Sequence, residues 1–570
     1  MHSRFLREGS IGGAPEPLWL AFRMNFLENI LDRLGKTPDR PLLQEARAGG
    51  MISVRCRELL ESIAAAREYL AEAGLKRGDR CALLAHNSIR WAALDLALMA
   101  EGILVVPLYA RQSPRELAAM IKDCQAALIF CGDESLRDAV AEWPEAPRTV
   151  LFDQVFATAA KQYHRPPVAL EANDAITIIY TSGTSGETKG VLLTVGNLDH
   201  MLSSTTARLD LLMGPTEAPD QVFHYLPFCF AGSWVLLLTC LSRPSVLTLS
   251  TDLTRLADEL RSAKPHYFLN VPTLLERVRS GVESELEKRG GMGLKLYQNA
   301  IAAWLRQQAG NARGLDRLWL ALAERTVFGA IRRPLGPNLK ALICGSAALE
   351  KETQLFFLML GVPVLQVYGL TETTAICTMD HPQHIEPGRV GPAISGVEMK
   401  LGADDEILVR GPNIFPGYWN RPEETARVLR DAWFHTGDQG EVNEAGNWRI
   451  IGRLKNLIIL NSGHNIAPEP LEEMLRRRLP GAQQVVLIGN GRGYLVALVT
   501  GAVARERIQA EFDRMNAQLP HYQQIRAFHV EKEPFTIENG LLTANGKLRR
   551  DAIAARFEAE IRELYRRKGA

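Results

Sequence analysis

Cysteine motifs, long apolar runs and a dominant charge are all missing from this 570-residue chain. Its eight cysteines (Cys56, Cys81, Cys124, Cys131, Cys229, Cys240, Cys344, Cys377) show neither C-x-x-C spacing nor a nearby histidine pair. Several sit inside apolar runs, as free buried thiols do. A zinc site and a disulfide framework are therefore not expected, and a reducing cytoplasm is. No apolar segment approaches the ~18 residues needed to span a bilayer. Residues 1–23 lack the continuous apolar core of a secretory signal and read as an extension of little consequence. The formal net charge of +1 offers no long-range attraction for nucleic acid. Internal repeats and low-complexity tracts are absent as well.

What is present is ordinary globular composition, 46% apolar and 23% charged, over a length that exceeds one domain. From Asn25 to about Ala110, strand and helix patterns alternate, and short strands recur after residue 220. That predicts an α/β fold: a large N-terminal domain of parallel-rich sheets covered by helices. Between Pro272 and Leu335 two long helical patterns, Leu274 to about Leu305 and Leu315 to Arg333, are rich in Arg and Lys. Such a basic amphipathic insertion suits a partner surface, a membrane surface or the wall of an apolar pocket; a solvated hairpin fits equally well. After Gly388 the texture is β-rich. Beyond Gly452-Arg-Leu-Lys-Asn456 comes a compact α+β segment. The expected organisation is a large domain at 24–452, a hinge at 453–457 and a small mobile domain at 458–570.

The stretch Tyr180-Thr-Ser-Gly-Thr-Ser-Gly-Glu-Thr-Lys-Gly190 carries most of the chemistry. It holds neither G-x-x-x-x-G-K-[ST] nor G-x-S-x-G. Strand patterns flank it, and Asn197 is expected to cap a helix beginning at Leu198. Its glycines let backbone N–H groups converge, its hydroxyls add donors and Lys189 adds charge, which together make a phosphate cradle. A loop of small polar residues at the surface is the competing reading. Tyr368-Gly-Leu-Thr-Glu-Thr-Thr374 follows an apolar run, as ligand groups do at the carboxyl edge of a sheet. There Glu372 offers a carboxylate to Mg²⁺ and Thr371 a hydroxyl to a phosphate. Asp438, in His435-Thr-Gly-Asp438, suits two ribose hydroxyls, with Arg453 in reach of the same sugar. Lys547 lies in a Gly/Asn turn that could meet a phosphate.

In order, YTSGTSGETKG, CGSAAL, YGLTETT, HTGD, GRLKN, NSGHNIAPEPLE and LTANGKLRR resemble the acyl- and aryl-CoA synthetase family of adenylate-forming enzymes, over about Asn25 to Arg556. The insertion after Pro272 and the closing Phe535–Thr543 segment look like the long-chain fatty acid CoA ligase branch. The resemblance implies ATP, Mg²⁺ and coenzyme A, and a fatty acid converted to acyl-AMP and then to acyl-CoA. It implies that Thr181, Ser182, Gly183, Thr184, Ser185, Gly186 and Lys189 hold the β- and γ-phosphates. Glu372 would ligate the metal, while Tyr368, Gly369 and the Gly345-Ser346-Ala347 turn would flank the adenine and the substrate. Asp438 and Arg453 would hold the ribose. Lys547 would bridge the carboxylate and α-phosphate, and Lys455 would be the hinge that brings Gly463 beside a pantetheine tunnel.

Departures from the family pattern are Thr188 for Pro, Val195 for His, Ala432 for Gly and Asn456 for Asp. Phe230 stands where relatives often have His, so it can gate the acid pocket but cannot hydrogen-bond the acid. With no charge in Phe228 to Leu238, an apolar acid is expected. Left open are transfer to the phosphopantetheine of a carrier protein, peripheral membrane contact and a homodimer. A nucleotide- or acyl-binding member without turnover is the alternative of another class; retention of Lys189, Glu372, Asp438, Arg453 and Lys547 argues against it.

Overall fold

The computed structural model describes residues 24–47, 49–141, 143, 145–157, 165–182, 188–216, 218–543 and 546–566. The described strands of the first two-thirds form two helix-covered sheets. One has seven strands, with Ala175–Ser182, Leu104–Leu108, Arg80–Leu84, Leu128–Cys131 and Thr149–Leu151 parallel and Thr188–Thr194 turned antiparallel at one side. The other has eight, with six parallel strands from Val364–Tyr368 to Pro41–Arg47 and an antiparallel strand at each edge. Strands such as Leu104–Leu108 and Leu128–Cys131 are buried at every position. Helices on both faces leave them no solvated side. Helix Ile89–Ala100, buried along almost its whole length, contacts strands of both sheets and ties the two into one core.

The β-rich texture after Gly388 is a five-stranded antiparallel sheet whose last strand, Trp448–Arg453, pairs with Trp433–Val442. A 3-10 turn, Leu454–Asn456, follows directly. The chain beyond it packs cores of its own around a three-stranded sheet, Ala482–Ile488, Leu495–Gly501 and Ile525–Glu531.

Two local expectations need correction. The helix after the glycine stretch begins at Val195, one turn earlier than expected, and Thr194 is its cap. Thr194 Oγ1 accepts from Asn197 N–H while Asn197 Oδ1 accepts from Thr194 N–H, so Asn197 closes a reciprocal capping box. In the insertion the first helical pattern is two helices, Pro272–Arg289 and Gly291–Gln308. It breaks at Gly290, whose φ of +57° is left-handed.

Candidate active site

The hairpin of Ala175–Ser182 and Thr188–Thr194 sets Thr181 opposite Lys189. Of the expected phosphate loop, Gly183, Thr184, Ser185 and Gly186 lie outside the described residues, as does the Ser182 side chain. Lys189 pairs with Glu424, and its Nζ stands 5.3 Å from the centre of the Tyr418 ring.

The second wall comes from the carboxyl end of Val364–Tyr368. A Cβ on Gly369 would lie 2.3 Å from Ala375 O and 2.5 Å from Ile376 Cα. Both are backbone atoms that cannot swing aside, so the turn into Thr371–Thr373 needs glycine here. A Cβ on Gly345, at the adjacent strand end, would lie 2.6 Å from the Val367 side chain at Cγ2 and 3.3 Å from Val367 O. Gly345 and Ser346 line the cavity described below; Ala347 follows them, exposed and outside its lining. The Glu372 carboxylate is held from one side, with Oε1 accepting from the Tyr418 hydroxyl at 2.9 Å.

Asp438 and Arg453 face each other across two antiparallel strands. Arg453 Nε lies 2.8 Å from Asp438 Oδ1, and the Tyr368 hydroxyl donates to Oδ2 at 2.8 Å. Burial, followed by the Asp438 charge, holds the Tyr368 hydroxyl well above its ordinary pKa, so it stays a donor. The candidate adenine and ribose residues thus form one connected group.

These elements open into a cavity of about 1580 Å³. Lys189, Glu372, Arg453, Lys455 and Lys547 line one part of it, the last two contributed by the chain after the five-stranded sheet. Lys455 is pushed down to about 8, first by burial, then by Arg453, with Lys189 adding and Asp438 and Glu372 opposing. Lys547 is open to the cavity, yet enclosure by protein lowers its pKa, with Arg453 a lesser cause. Lys189 and Arg453 have carboxylate partners in Glu424 and Asp438, whereas no ion pair with a described residue neutralises Lys455 or Lys547, so this part of the cavity suits a polyanion. Elsewhere the cavity is lined by Val235, Leu236, Leu269 and Met379. Phe230, at the start of helix Ala231–Ser242, lies 5.6 Å from Tyr109 ring to ring. That helix carries no charged residue. Gly463 is outside the lining, exposed, with φ +82° and nothing within 4 Å of a Cβ placed there.

Three participants escape sequence reasoning. Tyr418 belongs to none of the motifs read from the sequence, yet it touches both Glu372 and Lys189. Asp123 accepts from Tyr180 at 2.6 Å and from Arg421 at 2.9 Å, bracing the hairpin from outside the cavity. Arg549, two residues beyond Lys547, reaches Glu116 at 3.3 Å and pins the lysine turn to the large domain. Only the last had a visible signal, the basic run after Gly546.

The sheet scaffold, the cation-lined cavity and the lysine turn closing over it define an adenylate-forming ligase. Residues 31–419 match the AMP-binding enzyme family and residues 455–569 the AMP-binding enzyme C-terminal domain; the chain belongs to the AMP-binding enzyme family. It is 28% identical to a long-chain-fatty-acid–CoA ligase, FadD15, of Mycobacterium bovis, over 99% of this chain and 100% of that one. It is 26% identical to a chloroplastic long-chain-fatty-acid–[acyl-carrier-protein] ligase, AEE15, of Arabidopsis thaliana, over 93% and 85% of the two chains. The fold matches O-succinylbenzoate coenzyme A synthetase of Bacillus subtilis in complex with ATP and magnesium, with a TM-score of 0.71 at 21% identity, over 92% and 98%.

Proposed function

We propose that this protein activates a medium- to long-chain fatty acid with ATP, forming acyl-AMP and pyrophosphate, and then transfers the acyl group to coenzyme A with release of AMP. The observation that carries this reading is a single cavity lined both by a cation cluster and by apolar side chains such as Val235, Leu236, Leu269 and Met379, the first two from a helix, Ala231–Ser242, that carries no charge. The carboxylate oxygen attacks the α-phosphorus, and the α–β phosphoanhydride bond breaks. Lys547 neutralises charge as the new bond forms, while Lys189 and the glycine loop hold the departing phosphates. Asp438 and Arg453 hold the ribose, with Tyr368 orienting Asp438. Tyr418 leaves one oxygen of Glu372 free for Mg²⁺, a donor set that suits a hard cation. Bound there, the cation would offset phosphate charge. In the second step the thiol sulfur attacks the acyl carbon, AMP leaves and the thiol proton passes to solvent. No protein nucleophile is needed; positioning and electrostatics carry both steps.

The division into a large domain at 24–452, a hinge at 453–457 and a small domain at 458–570 belongs to this proposal, as do cytoplasmic residence and contact with lipid. All eight cysteines are free and buried, which suits a reducing compartment. No described helix is long and apolar enough to cross a membrane. Leu315, Leu318 and Leu322, exposed beside Arg313 and Arg317 on the insertion, suit shallow contact with a lipid surface. Transfer to a carrier protein is the second reading, favoured by the similarity to the carrier-protein ligase.

The test is acid-dependent exchange of labelled pyrophosphate into ATP across fatty acids of increasing length. AMP release is then read with coenzyme A and with a holo carrier protein. Each buried methylene should add up to ~0.8 kcal/mol until the apolar part is filled, so specificity climbs and then levels off. A preference for acetate or for a hydroxylated aromatic acid over every fatty acid would remove the reading.

A further inference from the structure

Lys547 can act only while its turn stands in the cavity, so something must hold the small domain there. Helix Pro468–Arg478 of that domain presents Arg476 and Arg477 to the insertion helix Pro272–Arg289 and to the start of helix Lys351–Met359. Arg476 Nη2 lies 3.0 Å from Glu276 Oε2 and also binds Glu473 of its own helix. Arg477 pairs with Glu350 through its Nε and reaches Glu352 at 3.4 Å. One oxygen from each of Glu276, Glu350 and Glu473 falls within 4.8 Å of the others. Arg279, also on the insertion, reaches Glu350 at 3.4 Å.

The charges sort by domain. The large-domain side carries Glu276, Glu350 and Glu352 against Arg279. The small-domain side carries Arg476 and Arg477 against Glu473. Each side alone is unbalanced and the two signs are opposite, so docking joins complementary surfaces. Glu350 is buried, which raises its pKa to about 7 against the opposing pull of Arg477, and departure of Arg477 would leave it with a single arginine 3.4 Å away. The contact is absent from both candidate half-sites: none of these residues lines the cavity, and Gly463 is on a different loop.

We propose that Arg476 and Arg477, seated on Glu276, Glu350 and Glu352, form an electrostatic latch that holds the small domain with Lys547 in the cavity and that opens before thioester formation. They are positioning residues for adenylation. The inference rests on the proposed two-step reaction, in which the small domain presents different faces in turn.

The experiment compares wild type, Arg477→Ala, Arg477→Lys, Glu276→Gln and the paired reversal Arg476→Glu with Glu276→Arg. Pyrophosphate exchange and conversion of supplied acyl-AMP to thioester are measured for each. Arg477→Ala and Glu276→Gln should each lower exchange by about tenfold while leaving thioester formation unchanged or faster. Arg477→Lys and the paired reversal should restore exchange in part. Domain position is read without activity by energy transfer between dyes on Glu285→Cys and Arg514→Cys, both exposed; the native thiols are buried and label poorly. Arg477→Ala should lower transfer in the ligand-free protein. Equal loss of both half-reactions, or unchanged transfer in Arg477→Ala, would overturn the latch. Failure of wild type to exchange pyrophosphate with any fatty acid, while transfer still falls in Arg477→Ala, would instead remove the proposed reaction and leave the latch standing.

Discussion

Lys455 opens onto the cavity yet is enclosed by protein and faced by Arg453 with no close carboxylate partner, and its lowered pKa follows. In the sequence it was legible as a turn residue at a change of texture, hence a hinge. That it also faces the cavity was not, because Lys189, Glu372 and Asp438 reach it from strands and turns remote in the chain. The same holds for Tyr418, whose partner Glu372 lies in another element altogether. Residue identity is local information, whereas a residue's surroundings are tertiary. The charge makes a measurable claim. Below about 8 the ammonium is protonated in folded and unfolded chains, and the fold bears the cost of enclosing it. As pH rises from about 8 towards 10.5, the folded chain releases the proton while the unfolded chain keeps it, so stability rises. Thermal midpoints of the ligand-free protein should therefore improve, relative to Lys455→Met, as pH is raised through that window. Mg·ATP should remove the difference by supplying the missing negative charge. A gap between the two proteins that ignores pH would mean that Lys455 is not enclosed.

Among elements, the buried parallel strands were the most legible, since continuous apolar runs between helical patterns have few other uses. Helix ends were less so: Thr194 and Asn197 are both good cap residues, and only the reciprocal bonds choose between them. The break at Gly290 was hidden because the apolar spacing continues on either side of it. The hairpin between Leu429–Arg430 and Trp433–Val442 shows a departure in sequence becoming a backbone fact. Asp431 has φ +51° and Ala432 φ +64°, so both central residues of the two-residue turn are left-handed. Such turns favour Asp-Gly, and an alanine there bears roughly 1–2 kcal/mol of Cβ–carbonyl repulsion. Glycine would relieve it at an unfolded-state entropy cost of about 0.5–1 kcal/mol. Ala432→Gly should thus raise the denaturant midpoint, for a net gain of up to ~1 kcal/mol with an unchanged m-value, whereas Ala432→Val should lower it. A loss of stability in Ala432→Gly would show that the turn is held left-handed by contacts that alanine makes.

At the scale of the whole molecule, the order of short motifs was enough to indicate the family, because seven fragments in one order constrain far more than any one of them. How the small domain meets the cavity was not written there. The structure puts Lys547 in the cavity while Gly463 stands outside its lining, although both belong to the same small domain. A lysine at the α-phosphate is useful only while pyrophosphate is displaced. A glycine is useful where a narrow pantetheine arm must pass close to backbone. On the proposed reaction the two faces would not occupy one site together, and the domain would turn between steps. Lys547→Ala should abolish pyrophosphate exchange yet still convert supplied acyl-AMP to thioester. Gly463→Leu should do the reverse. Its φ of +82° adds a local strain of about 1–2 kcal/mol, but nothing stands within 4 Å of the new Cβ, so the domain has room to fold around it. Circular dichroism and a melting curve on each variant separate misfolding from loss of a single step. If both substitutions depress both half-reactions equally in folded protein, the two faces serve one conformation, and the hinge has no part in the chemistry.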